Sequence, residues 1–349
     1  MASSSNKALQ RAAELCKSGQ TKIKAGDAAG AFRDFEQAIA FAPQLPEPYI
    51  NRAVLRIHHF NDIAGGIDDC NAALDINPDS AAAYSNRGVA YFKQEQYEKA
   101  AGDFHEALMQ QPLEASLHRL KAYAHYELEQ YAAAVQHYTV ALKFWHEPAL
   151  CHEMRGVCYH NLHDFDKALE DLNASIRADP NRPSAYTNRG VVYLTLGEMD
   201  KALADQDKAL SLREYAGYYS NRGLVYLLRG DLETAQAESD KALALDGAFA
   251  DALGLQGQIA FVQGDYALAL ERFQQLELYK MPGDLHAQAG QSIALYATGQ
   301  TDDALDMWQA IIWENSRFRD LAWLQAEFIL AAPLLKIAEK ILKELEDIS

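Results

Sequence analysis

The chain has 349 residues, 49% of them apolar, and a net charge of −17. Acid in this excess, 49 Asp and Glu against 32 Lys and Arg, speaks against a nucleic-acid backbone as partner and favours a basic or neutral one. Four cysteines are too few for a disulfide scaffold, and no apolar signal segment follows Met1, so a cytoplasmic protein is expected.

Residues 1–6 are serine-rich and read as a flexible N-terminus. From residue 7 to 316 the chain repeats itself. Four tetrads announce the period: Ile50-Asn51-Arg52-Ala53, Ser85-Asn86-Arg87-Gly88, Thr187-Asn188-Arg189-Gly190 and Ser220-Asn221-Arg222-Gly223. With the last residue of each tetrad as anchor, the register runs Gly19, Ala53, Gly88, Ala122, Gly156, Gly190, Gly223, Gly257 and Ser292. The spacings are 34, 35, 34, 34, 34, 33, 34 and 35 residues, which makes nine units.

Twelve residues after most anchors stands a second small residue, such as Ala31, Ala100, Ala134 or Ala202. A larger one often follows four places on, such as Phe35, Phe104, Tyr138 or Trp308. Small residues at two facing places let antiparallel helices approach closely, and the larger side chain fills the space beside them. Pairs such as Gly26-Asp27, Asn61-Asp62 and Gly230-Asp231 stop one helix and start the next. Prolines close several units: Pro43, Pro78, Pro112, Pro180 and, slightly displaced, Pro148 and Pro282.

Unit length and the order small, small, large, proline resemble the tetratricopeptide repeat family. The resemblance implies an all-α fold, a right-handed α-solenoid of about nine helix-turn-helix units. Residues 317–349 then read as capping helices, broken by Pro333, with Leu334, Ile337, Ala338, Ile341 and Leu345 on the apolar face. The apolar stretch from Leu321 to Ile337 carries Gln325, Glu327, Pro333 and Lys336, so it does not read as a membrane span.

Arginine precedes the anchor at Arg52, Arg87, Arg155, Arg189 and Arg222. In the same units an acid follows 15 or 16 residues after the anchor: Asp69, Asp103, Asp171, Asp205 and Glu238. Where Gln256 replaces the arginine, Arg272 replaces the acid, and in the fourth unit Lys121 is matched with His137. This covariation predicts framework ion pairs rather than catalytic carboxylates.

One place earlier stand Asn51, Asn86, Asn188 and Asn221. The resemblance places them on the concave face, where asparagines in some family members hold the main chain of an extended peptide. An amide suits that task because it offers both a donor and an acceptor. The alternative is a framework role within the helix pair. Helical offsets from the anchors add Phe92, Arg119, Tyr123, Tyr126, Leu194 and Leu227 to the expected peptide-binding face, with Phe261, Ile293 and Tyr296 beyond them. The two-lysine, arginine and two-asparagine clamp by which some members hold chaperone tails is not matched: Ser116 and Leu120 stand where basic residues are needed.

No phosphate-cradling glycine loop and no His-Glu-x-x-His motif occurs, so no catalytic residue and no cofactor are expected. Histidines crowd between His105 and His163, with His146, Cys151 and Cys158 among them, but without zinc-ligand spacing. The expected function is a non-enzymatic scaffold or adaptor that binds a protein or peptide segment, extended or helical, in its groove. The alternatives are self-assembly through the C-terminal helices and an embedded metal or enzyme site in the cluster 105–163.

Overall fold

In several repeats the second helix begins on an aspartate that caps it. Asp27, Asp62 and Asp231 accept the backbone N–H of Gly30, Gly65 and Thr234, satisfying donors that a helix N-terminus otherwise leaves open. The first helix of each repeat ends one step earlier, at a residue with positive φ. That residue is Gly26, Asn61, Glu95, Glu129, His163, Gly197, Gly230, Gly264 and Gly299 in the nine repeats. All nine intra-repeat turns therefore use a left-handed residue, three of them without the glycine or asparagine that tolerates it best.

The computed structural model describes residues 2–144, 147–279 and 284–348, with side chains from residue 6 onward except at 327 and 348. Pro282 and His146 lie outside the described residues. Among those described, every regular element is helical. The chain divides into two compact units, Met1–Asp171 and Leu172–Ser349.

In the first unit the repeats are the pairs α1 (Ala2–Lys24) and α2 (Ala28–Phe41), α3 (Pro46–His58) and α4 (Ile63–Ile76), and α5 (Ala81–Lys93) and α6 (Tyr97–Gln110). They continue with α7 (Ala115–Glu127) and α8 (Tyr131–Phe144), then α9 (Pro148–Asn161) and the start of α10 (Phe165–Ala178). The second unit holds α11 (Pro183–Thr195) and α12 (Met199–Leu212), α13 (Ala216–Leu228) and α14 (Leu232–Leu245), α15 (Ala250–Gln263) and α16 (Tyr266–Tyr279), and α17 (Leu285–Ala297) and α18 (Thr301–Glu314). A 3₁₀ turn (Ser316–Arg319), α19 (Leu321–Phe328) and α20 (Ala332–Ile348) follow.

The anchors do what their size predicts. A Cβ placed on Gly88 would meet the ring of Phe104 at 2.8 Å, and one on Gly257 would meet Phe273 at 2.7 Å. The second small residues, Ala31, Ala100, Ala134, Ala202, Ala235, Ala269 and Ala304, are fully buried beside them.

The expected ion pairs all form, between the two helices of one repeat. Arg52 meets Asp69, Arg87 meets Asp103, Arg155 meets Asp171, Arg189 meets Asp205 and Arg222 meets Glu238. The same residue also reaches back to the second helix of the preceding repeat. Arg87 donates to Asn71 at 2.7 Å, Arg155 to Thr139 at 2.9 Å, Arg189 to Asn173 at 2.6 Å and Arg222 to Asp207 at 2.7 Å. Gln256 keeps this backward bond, to Asp240 at 2.9 Å, and Arg272, freed of a partner in its own repeat's first helix, donates to Gln275 instead. The expected Lys121–His137 match does not form. Lys121 reaches back like its counterparts, to His105 at 3.3 Å, while His137 pairs with His118 at 3.0 Å.

Candidate protein-binding face

In the first unit the structure gathers Phe92, Tyr123 and Tyr126 into one aromatic row. Four places after the anchor, Phe92 and Tyr126 reach the first residue of their own second helices, with ring centroids 5.1 Å from Tyr97 and 5.7 Å from Tyr131. Tyr123 bridges the two repeats, 4.9 Å from Phe92 and 6.2 Å from Tyr126. The row runs Tyr97, Phe92, Tyr123, Tyr126, Tyr131, and Tyr123 is 37% exposed. Tyr97 and Tyr131 are absent from the expected site, yet their signal is in the sequence. Aromatic pairs at the same two places recur as His160 with Phe165 and Phe261 with Tyr266, and both pairs are in ring contact.

Carboxylates border this row. Burial raises the Tyr97 and Tyr123 hydroxyls above the ordinary phenol range, and Glu127 adds to the effect at both. Ring faces beside carboxylates make a surface suited to a cation, which the rings attract by their quadrupole and the acids by charge. Asn51 is half-buried on α3 of the preceding repeat, and Asn86 is half-buried on α5, the helix that carries Phe92. Among the described residues neither side chain has a hydrogen-bond partner, and the same holds for Asn221 in the second unit; Asn188 does have a partner. Arg119 is half-buried beside Cys151 and Tyr138, where its charge opposes the upward shift that burial imposes on both.

The second unit departs from expectation. Leu194 is 5% exposed and Leu227 3%, so neither is open surface. One reason is local, since each shares a cluster with the small residue of its own second helix, Ala202 or Ala235. An aliphatic side chain stops there, whereas the longer Phe92 and Tyr126 extend past it. The other reason is distant: Ile329, from the bend between α19 and α20, joins the cluster of Leu194, Ala202 and Val225. Phe261 and Ile293 are buried as well, in a core that includes Leu330, Ala331, Leu334, Ala338 and Ile341.

His118, His125 and His137 of the histidine region are held by a hydrogen bond and ring contacts to one another. His118 and His137 share a hydrogen bond at 3.0 Å, and the carbonyl of Pro112 accepts from Nε2 of His118 at 3.0 Å. In the neutral pair His137 therefore donates from Nδ1. His125 stacks on His137 with centroids 5.5 Å apart. Burial, then Lys121 and the neighbouring histidines, lower His137 to about 4, and burial lowers His160 to about 4. Cys158 is buried and pushed up to about 12, as is Cys70 in α4, so both stay as inert thiols. Among the described residues no three His, Cys, Asp or Glu side chains are grouped to hold a metal ion, and no helix is long and apolar enough to cross a membrane.

Three family models, each described as tetratricopeptide repeat, match residues 81–112, residues 159–219 with 220–284, and residues 285–310, together more than half of the chain. Over 100 residues the chain is 32% identical to the "DnaJ homolog subfamily C member 7 homolog" of Dictyostelium discoideum. That match takes 28% of this chain and 18% of the relative. It is 38% identical over 96 residues to human "Sperm-associated antigen 1", 27% of this chain and 10% of the relative. The chain thus spans less than a fifth of either curated relative. A tetratricopeptide repeat protein of Parabacteroides merdae superposes with a TM-score of 0.55 at 20% identity, covering 68% of this chain and 94% of that one, a likeness of fold.

Proposed function

The chain belongs to the tetratricopeptide repeat family, and from that premise we infer that it is a non-enzymatic adaptor holding a peptide segment of a partner protein on its first-helix face. In the first unit Phe92, Tyr123 and Tyr126 form the apolar seat, and Asn51 and Asn86 offer amides to the guest's main chain. The observation that carries this reading is the half-exposed aromatic row with Glu127 beside it. Such a surface suits a segment bearing Lys or Arg among apolar residues, in line with the net charge of −17. The family's chaperone-tail clamp forms no part of the proposal, because the basic residues it needs are absent. In our reading the protein works in the cytoplasm.

The test is a peptide array on the full chain, with basic, neutral and acidic sequences, repeated with Tyr123→Ala and with Phe92→Ala. Retention of basic peptides by the wild type, reduced roughly tenfold or more in each variant, is the expected result, as for loss of a central aromatic anchor. Equal retention by wild type and variants, with their helical content unchanged, would remove this face from the function.

A further inference from the structure

α15 differs from the other first helices. Ten consecutive residues, Ala252 through Phe261, are buried, whereas α5 buries only Ala81, Ala83, Gly88 and Ala90. A helix buried all round has neighbours on every side. Here one side is covered by the chain's own segment between α19 and α20, and α20 itself packs on α15 and α17.

The residue next after the anchor is Val54, Val89, Tyr123, Val157, Val191, Leu224 and Ile293 in repeats two to seven and nine. The first repeat carries an exposed Gln20 there, and the eighth carries Gln258, buried at 5% exposure. Its Oε1 accepts the backbone N–H of Ala331 at 2.9 Å, across 73 residues of sequence. A buried amide where seven other repeats carry an aliphatic residue or Tyr, spent on a main-chain donor, is the chemistry of peptide recognition rather than of core packing. On one side of this bond Ile329 sits with Leu194 and Val225, while Leu330 and Ala331 lie in the cluster of Phe261 and Leu227.

The seated segment is not at ease. Ile329 has φ 47° and ψ 54°, a left-handed conformation that a β-branched side chain adopts only when its surroundings hold it there. Its side chain is 7% exposed, so burial in the seat is what retains it.

We propose that the face of α11, α13 and α15 is a second peptide site, and that Phe328–Leu334 is its tethered resident. The site takes from a partner a short segment of like chemistry: two adjacent aliphatic residues and a small one whose main-chain N–H is free for Gln258. A partner segment without a left-handed β-branched residue makes the same contacts unstrained and displaces the resident. This site is independent of the aromatic row in the first unit.

The test uses the full chain and a fluorescent synthetic peptide spanning Trp323–Leu335. In the wild type the resident competes, so the apparent affinity is reduced by the small fraction of open sites. Ile329→Asp places a charge in the seat and empties it, and Ala331→Pro removes the donor to Gln258. Either variant should bind the peptide at least about tenfold tighter than wild type. Adding Val225→Asp to either should abolish that binding. A variant that keeps its helical content but does not take up the peptide overturns the proposal.

Hydrogen exchange on the wild type decides the matter if both variants unfold. The amides of Ile329–Ala331 should exchange faster than those of α15, and faster again with excess peptide, while α15 stays protected. Exchange of the two only together makes the segment a fixed part of the core and overturns the proposal. A concentration-dependent dimer dispersed by the peptide would give the site to a second copy of this chain, and would overturn its assignment to a partner.

Discussion

Arg87 donates from Nε and Nη2 to the two carboxylate oxygens of Asp103, each at 2.8 Å, and from Nη1 to Asn71 of the preceding repeat. One guanidinium therefore ties two helices of its own repeat and a third from its neighbour. Its side chain is also stacked within 5.4 Å of Tyr84.

Replacing Arg87 by Ala leaves Asp103 buried without its cation. The expected loss is about 3 kcal/mol, the usual order for breaking a buried pair on one side. Arg87→Lys keeps the charge but not the fork, and should recover less than half of it. Urea unfolding followed by circular dichroism measures both, and equal stability of all three proteins would contradict the framework role.

Glu129 holds φ 55° at the turn of the fourth repeat, the place where five other repeats carry glycine. Glycine adopts this conformation without the Cβ clash, so Glu129→Gly should stabilise the protein by about 0.5–1 kcal/mol. Glu95→Gly should act likewise. A lowered urea midpoint for both would mean that the side chains make contacts worth more than the backbone strain.

His137 and His160 are held at about 4, below the value near 6.5 of an unfolded histidine. The unfolded chain thus takes up protons first as the pH falls. Their contribution is complete above about pH 6.5 and is lost progressively from there towards pH 4. Discounted for partial exposure, the loss is about 1–2 kcal/mol per histidine. Urea midpoints at pH 7.5 and pH 4.5 test this, and His137→Gln should flatten the dependence. An undiminished slope in that variant would assign it to the carboxylates.

Asn51 and Asn86 are half-buried and, among the described residues, have no hydrogen-bond partner for their side chains. The double variant Asn51→Ala and Asn86→Ala should therefore change stability by less than about 0.5 kcal/mol, as ordinary surface positions do. Peptide retention on the array should fall by contrast. A large drop in melting temperature would return these amides to the framework.

Much of the fold was legible because the repeat writes the same physics nine times. Gly88 needs to be small because Phe104 sits against it, and the same holds at Gly257 with Phe273. The arginine–acid pairs were legible as covariation, down to Gln256. Glu95, Glu129 and His163 were not recognisable as turn residues, because their side chains give no sign of a left-handed backbone. Leu194 and Leu227 share a place with Phe92 and Tyr126, and only side-chain length separates filling a repeat from reaching past it. The resident segment was hidden because no local period encodes a contact between residues 258 and 331. Its trace was a glutamine where seven other repeats carry Val, Leu, Ile or Tyr, and the first repeat's Gln20 is exposed.

The backward bonds of Arg87, Lys121, Arg155, Arg189 and Gln256 each span 16 residues of chain. Loops that short close with little entropy loss, so assembly can start at any repeat and spread to its neighbours at the speed of low contact order. Docking of Ala331 on Gln258 has to close a loop of 73 residues onto a helix that must already stand in place. The newly synthesised chain consequently passes through a stage in which the repeats are built and their second-unit face is still vacant, and a guest present at that moment meets no competitor.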